Sequence, residues 1–244
     1  MMMYGHGVNT EKLISYAPSF GQTDLERINK FNCKELIKSG LEKFDYLSVR
    51  DKSSAKIVKE LINKEPCLVC DPVLLYDFSN INTKVKKKIK KDYLLIYSYD
   101  RWMTDPAEIK AIKEYAKSKK LITVSAGTYH KWCDINIVCN PLEWLEYFRG
   151  ATEIITDTFH GSILSIITNK PTAYFIRSNN SNKIYDLLED FGLLDRLMKR
   201  IDIYEINRVL NTPLKNKDIN EHLNELRKRS EAFLRTALDE HHEN

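Results

Sequence analysis

Glycine is scarce in this sequence, with eight residues in 244. None stands in a G-x-G-x-x-G run after a strand, a Walker loop or a G-x-S-x-G elbow, so the dinucleotide, P-loop and serine-hydrolase signatures are missing. Carboxylates nowhere reach the density of a metal cage, and neither a metal nor a bound cofactor is expected. Apolar runs are short. None has the length of a membrane span, and no apolar segment follows the opening MMMYGHG as it would in a signal peptide. A cytoplasmic protein is the expectation, peripheral at the inner face of a membrane only where a partner carries it there. Charge is balanced, 38 basic against 34 acidic side chains for a net of +4, too mild an excess to point to nucleic acid. The five cysteines, at 33, 67, 70, 133 and 139, are odd in number and scattered. They give no disulfide framework and fit a reducing compartment.

Three local patterns invite a chemical reading and are better explained structurally. Cys67 and Cys70 match C-x-x-C, but they lie in an apolar, strand-like run ending at Asp71-Pro72. On a strand, residues three apart point to opposite faces, so packing cysteines are expected. His130 and Cys133 have the spacing of half a zinc site and no second pair at suitable distance. The lysine-rich run at residues 84–91 reads as a solvated helix face. Its alternative, contact with an anionic polymer or membrane surface, has neither an aromatic series nor a second basic stripe beside it.

What the sequence does contain is alternation. Strand-like runs at residues 13–17, 46–49 and 67–70 are separated by helical periods at 24–38, capped near Thr23 and closed by Gly40, and at 53–62, with Ser53 placed as a cap. Residues 76–91 are polar and lysine-rich, a linker with a surface helix and the expected domain boundary. Strands then follow at 93–97, 121–125, 135–138, 153–156 and 172–176, with helices at 106–119, 141–148, 162–168 and 181–191. A charged amphipathic helix runs over 216–240. The expected domains are residues 1–78, 79–215 and a C-terminal helix over 216–244. The fold class is α/β, with parallel sheets and helices on both faces. In such sheets ligands sit beyond the carboxyl ends of the strands, so the residues that matter follow strands and precede helices.

Three joins qualify. The stretch ITDTFHGSIL, residues 155–164, runs from a strand through His160 and Gly161 into a helix. A helix N-terminus offers backbone N–H groups and a favourable dipole to an anion, glycine admits close approach, and histidine can donate to an anion or pass a proton. The other reading is that Asp157 or Thr158 caps the helix and His160 packs. Arg50 ends a strand, where its fork suits a carboxylate or phosphate, or else it pairs with the adjacent Asp51 at the surface. Asp71-Pro72 reads as a strand terminator.

Six segments, in order, resemble the polysaccharide pyruvyl transferase family. They are ISYAPSFG at 14–21, LSVRDKSS at 47–54, DPVLL at 71–75, PLEWL at 141–145, TDTFHGS at 156–162 and NKIYDLL at 182–188, within a span of about residues 13–197. The resemblance implies a glycosyltransferase-B-like architecture of two Rossmann-like domains. It implies phosphoenolpyruvate as donor and a sugar or lipid-linked glycan as acceptor, joined as a pyruvate ketal without a metal. His160 is then the acid or phosphate anchor. Arg50, Asp157, Thr158, Asn182 and Lys183 bind substrate, and the backbone N–H groups of Gly161 and Ser162 complete an anion site. Two departures stand out. Some members carry an arginine two residues before the motif histidine, where this chain has Thr158, and members usually have a longer region before the first segment. The first domain is therefore expected to be incomplete, to lack helices on an apolar face, and to self-associate or take a partner through residues 13–71. The rival functions are a nucleotide-sugar glycosyltransferase of related architecture and a truncated, non-catalytic remnant or glycan-binding scaffold.

Overall fold

The computed structural model describes residues 4–81, 83–85, 88–177 and 181–239. Lys86 and Lys87 of the basic run, and Glu240 at the end of the tail, lie outside them. The chain divides into two compact units, Met1–Tyr76 with Asn220–Asn244, and Asp77–Ile219.

The first unit holds a parallel sheet of three short strands in the order β1-β2-β3: β1 (Ile14–Ser15), β2 (Tyr46–Val49) and β3 (Cys67–Leu68). Helices α1 (Leu25–Lys30) and α2 (Lys34–Leu41) join β1 to β2, α3 (Lys52–Ile62) joins β2 to β3, and α4 (Pro72–Leu75) follows. The single helix expected at 24–38 is thus two. The chain turns between them at Asn32, which takes a left-handed φ of 50°, a conformation asparagine tolerates better than most residues. The cap is Asp24, whose side chain accepts from the Arg27 N–H, and not Thr23. Asp51 likewise displaces Ser53 as the cap of α3. Ile28, Ile37, Leu41, Val49, Ile57, Val58 and Leu61 close into the core of this unit.

The second unit is a five-stranded parallel sheet in the order β6-β5-β4-β7-β8. Its strands are β4 (Tyr93–Tyr97), β5 (Ile122–Ala126), β6 (Ile135–Ile137), β7 (Glu153–Thr156) and β8 (Thr172–Tyr174). Its helices are α5 (Pro106–Ser118), α6 (Pro141–Gly150), α7 (Phe159–Ile167), α8 (Ser181–Asp190) and α9 (Ile203–Leu210). Strand β4 is first in the chain and central in the sheet. Alternate residues serve alternate faces. Leu94 and Ile96 join Ile112 and Tyr115 of α5 and Ile206 and Val209 of α9 in one core, while Tyr97 stacks on Trp144 and Phe148 of α6. Burial on both sides explains why this strand reads as a continuous apolar run. Short polar caps end the joins: Asp105, Asn140, Thr158 and Asp202 each accept a first-turn N–H.

Two expectations are corrected in this unit. The surface helix foreseen within 76–91 is replaced by a single 3-10 turn at Phe78–Asn80, and the other described residues of that stretch take no helical conformation. Helix α9 was not foreseen. It is short and sits in a stretch without strand alternation, and only Ile206, Val209 and Leu210 at helical spacing announce it.

The last helix, α10 (Asn216–Asp239), returns to the first unit from Asn220 onward. The Phe233 ring lies 6.5 Å from Tyr16 and 6.4 Å from Tyr46. Arg227 donates to the carbonyls of Leu74 at 2.7 Å and Tyr76 at 3.0 Å. Ser230 Oγ accepts the buried Cys70 N–H at 2.9 Å. The tail read as a separate segment therefore supplies the cover that the first sheet was expected to lack. Among the described residues no helix is long and apolar enough to cross a membrane.

Replacing Ser230 by alanine strands a buried N–H. The expected loss is about 1–3 kcal/mol, read as a lower denaturation midpoint. A Ser230→Ala midpoint equal to wild type would show that this contact does not hold the helix in place.

Candidate functional site

Chain direction across the sheet reverses between β4 and β7, the two strands from which successive connections move outward to opposite edges. The crevice beyond the carboxyl ends at such a point is where open α/β sheets bind ligands. The stretch from Thr156 to Ser162 lies there.

Thr158 caps α7. Its Oγ1 accepts the Gly161 N–H at 3.0 Å, and its carbonyl accepts the Ser162 N–H at 3.0 Å. His160 is the second residue of the helix and is exposed, its ring edge-on to Phe159 at 5.6 Å. The helix begins earlier than residue 162, so the histidine stands in its first turn, where the dipole favours an anion. Capping by Thr158 holds, and His160 packs on Phe159 while remaining exposed.

One expectation fails here. The N–H groups of Gly161 and Ser162 are both engaged by Thr158 and are not open to an anion. Gly161 answers a different need. A Cβ at this position would collide with Thr156 Oγ1 and lie 2.7 Å from both Thr158 Oγ1 and the Tyr97 ring. Glycine is required because the helix rests directly on the ends of β7 and β4.

Asp157 is fully buried. Its Oδ2 accepts from Arg177 Nε at 3.0 Å. Arg177 extends its other two nitrogens to Glu108, at 3.1 and 2.9 Å, a two-pronged pair. Burial pushes the Asp157 pKa up, opposed by Ser98 and Arg177. Burial lowers that of Arg177, but the bonds to Glu108 and Asp157 outweigh it and hold the guanidinium above its usual range. The strand ends are also tied directly, since Thr156 Oγ1 donates to the Tyr97 carbonyl at 2.6 Å. Arg177, Glu108 and Ser98 were not singled out from sequence. Arg177 and Ser98 each follow a strand by a few residues, which was the available signal; Glu108 looked like one more acid in the first turn of a helix.

His130 and Cys133 do not form a metal site. His130 donates from Nε2 to the Ser98 carbonyl at 3.1 Å, and burial pulls its pKa down. Cys133 joins the core, and burial pushes its thiol to about 12. Among the described residues no group of three His, Cys, Asp or Glu side chains could hold a metal. Cys67 and Cys70 are free thiols, both raised by burial.

Asn182 and Lys183 open α8, which follows β8 at the same end of the sheet; Asn182 is exposed and Lys183 half-buried. Arg50 belongs to the first unit. It pairs through Nη1 with Asp71 Oδ2 at 2.8 Å, not with Asp51, which is occupied as the cap of α3.

The family model described as polysaccharide pyruvyl transferase matches residues 8–179. The chain belongs to the polysaccharide pyruvyl transferase family. No curated protein sequence matches it. Among solved structures it is similar to UDP-GlcNAc 2-epimerase of Methanocaldococcus jannaschii, solved with UDP-GlcNAc and UDP, at 15% identity and a TM-score of 0.54 over 81% of this chain and 62% of that one. It is also similar to the UDP-GlcNAc 2-epimerase of Neisseria meningitidis, at 9% and 0.56 over 89% and 67%. The UDP-forming trehalose-phosphate synthase of Burkholderia xenovorans gives 9% and 0.53 over 94% and 68%. At these identities the likeness is one of fold, a glycosyltransferase-B-like arrangement of parallel sheets flanked by helices. The chain spans less than two thirds of the length of the M. jannaschii enzyme.

Two outcomes follow from this geometry. Gly161→Ala overpacks the junction and is expected to cost roughly 1–3 kcal/mol, seen as a fall of several degrees in Tm; an unchanged Tm would show that the helix shifts freely. His130 has a folded pKa below its unfolded value. Its contribution to stability is therefore complete above the unfolded pKa, about 6.5, and is lost as pH falls toward the folded value. Between pH 7 and 5 the wild-type Tm should drop more than that of His130→Gln, and parallel curves would remove His130 as the cause.

Proposed function

We propose that this chain transfers a pyruvyl group from phosphoenolpyruvate to two hydroxyls of a sugar, on a polysaccharide or its lipid-linked precursor, forming a ketal. Family membership supports this reaction class. The observation that carries the assignment of residues is His160, exposed in the first turn of α7 at the switch point of the sheet.

In this reading His160 gives a proton to the methylene carbon of the donor. The new C–H bond takes the π pair and leaves C2 electrophilic. One sugar hydroxyl adds to C2, the C2–O bond to phosphate breaks with its pair on phosphate, and the second hydroxyl closes the ketal. Of the two hydroxyl protons, one restores His160 and the other leaves with phosphate. The donor's charge is met by the dipole of α7, by Lys183 and by Asn182. Asp157, Arg177 and Glu108 act as positioning residues: their ion pairs fix the loop that carries Thr158 and so the direction of His160.

A second reading has support from the fold. Enzymes of similar fold were solved with UDP ligands, and a nucleotide-sugar donor would occupy the same crevice. Calorimetric titration separates the two. Phosphoenolpyruvate should bind wild type, and His160→Ala should lose this binding or lower phosphate release with a pyruvylatable glycan by about 10²–10⁴-fold, while the melting curve stays intact. Binding of UDP-GlcNAc with no response to phosphoenolpyruvate would replace the first reading by the second. Silence with both would leave a non-catalytic glycan binder.

A further inference from the structure

The loop after β4 has the sequence SYDRWM, residues 98–103; at the carboxyl end of the sheet it exposes Tyr99 and leaves Trp102 half-buried. Tyr99 is 46% exposed, and Tyr129, on the loop after β5, is 59% exposed. The Tyr99 and Trp102 rings meet edge to face at 4.8 Å. The Arg101 guanidinium lies 5.6 Å from the Trp102 ring, and Asp100 Oδ1 accepts the Tyr129 N–H at 2.9 Å, which ties the two loops together.

Such rings offer an apolar face and a polar edge to a ligand, and here they are held rigidly. The Trp102 N–H closes a tight turn on the Tyr99 carbonyl at 2.8 Å. Met103, buried, holds a left-handed φ of 52°, and its carbonyl accepts from Trp132 Nε1 at 3.1 Å. The root of the loop is bound to the candidate site, because the Tyr97 carbonyl accepts from Thr156 Oγ1. Loops that leave β4 and β7 flank the crevice from its two sides. The rings therefore border the turn that holds His160.

We propose that Tyr99, Trp102 and Tyr129 form a platform for the apolar face of a hexose ring, with Asp100 and Arg101 binding its hydroxyls. The proposal rests on the reading of the chain as a sugar-modifying enzyme and assigns the acceptor ring to this rim. Flat aromatic faces cover the C–H face of a pyranose, while a carboxylate and a guanidinium accept from and donate to its edge. A nucleoside diphosphate suits the rim less well, because the exposed Asp100 carboxylate repels its phosphates and the rim as a whole carries no net charge.

The platform can be tested apart from the donor site. Methyl β-D-galactopyranoside, methyl β-D-glucopyranoside, UDP and phosphoenolpyruvate are titrated separately against the full chain, followed by saturation-transfer NMR and tryptophan fluorescence. At least one hexoside should bind wild type. Tyr99→Ala and Trp102→Ala should each weaken it tenfold or more, with Trp102→Phe retaining part of the affinity. Circular dichroism of all three variants should match wild type, since Tyr99 is exposed and Trp102 is only half-buried in the turn. Hexoside affinity unchanged in both alanine variants, no hexoside binding by wild type, or a Trp102-dependent response to UDP alone would each overturn the proposal. Trp102-dependent hexoside binding without any phosphoenolpyruvate binding would uphold the platform while removing the pyruvyl-transfer reading.

Discussion

The closeness of one helix to two strand ends governs the second unit. Helix α7 can start where it does only because position 161 has no side chain; any Cβ there meets Thr156, Thr158 and Tyr97 at once. That approach lets Thr158 cap the helix and lets Thr156 lock β7 to β4 through the Tyr97 carbonyl. His160 is then held in the first turn with little freedom in its backbone, which is what an acid needs if it is to meet a reacting carbon in one geometry. The glycine acts through packing.

A second constraint is electrostatic. A carboxylate as deeply buried as Asp157 is costly unless paired. Arg177 supplies the pairing, and Glu108 in turn holds Arg177. The result draws together residues from the ends of β7 and β8 and from the first turn of α5. Thr158 stands two places before the histidine, and a guanidinium reaches the neighbouring acid from Arg177, three residues after β8.

The first unit is built to a smaller plan. Its strands are two to four residues long, and three strands bury little on their own. The chain compensates with its last helix, which contributes an aromatic ring, a serine hydroxyl and an arginine to the sheet and the segment after it. A charged amphipathic tail thereby becomes structural cover, because its apolar stripe has a sheet face to meet.

Strand and helix order were legible in the sequence because periods of two and near four are local properties, and because Asp, Asn and Thr mark the helix starts. Apolar runs such as residues 93–97 announced a doubly covered sheet, and the join at 153–162 announced its own place at a carboxyl end. Family membership was legible from six short segments in order. The partners were not. That Asp157 answers to Arg177, that Arg177 answers to Glu108 sixty-nine residues away, and that Arg50 answers to Asp71 and not Asp51 depend on which strands become neighbours. The break at Asn32 and the return of α10 were hidden for the same reason. Local pattern gives each segment its shape, but the burial of a charge or of an apolar stripe is decided only when distant segments meet.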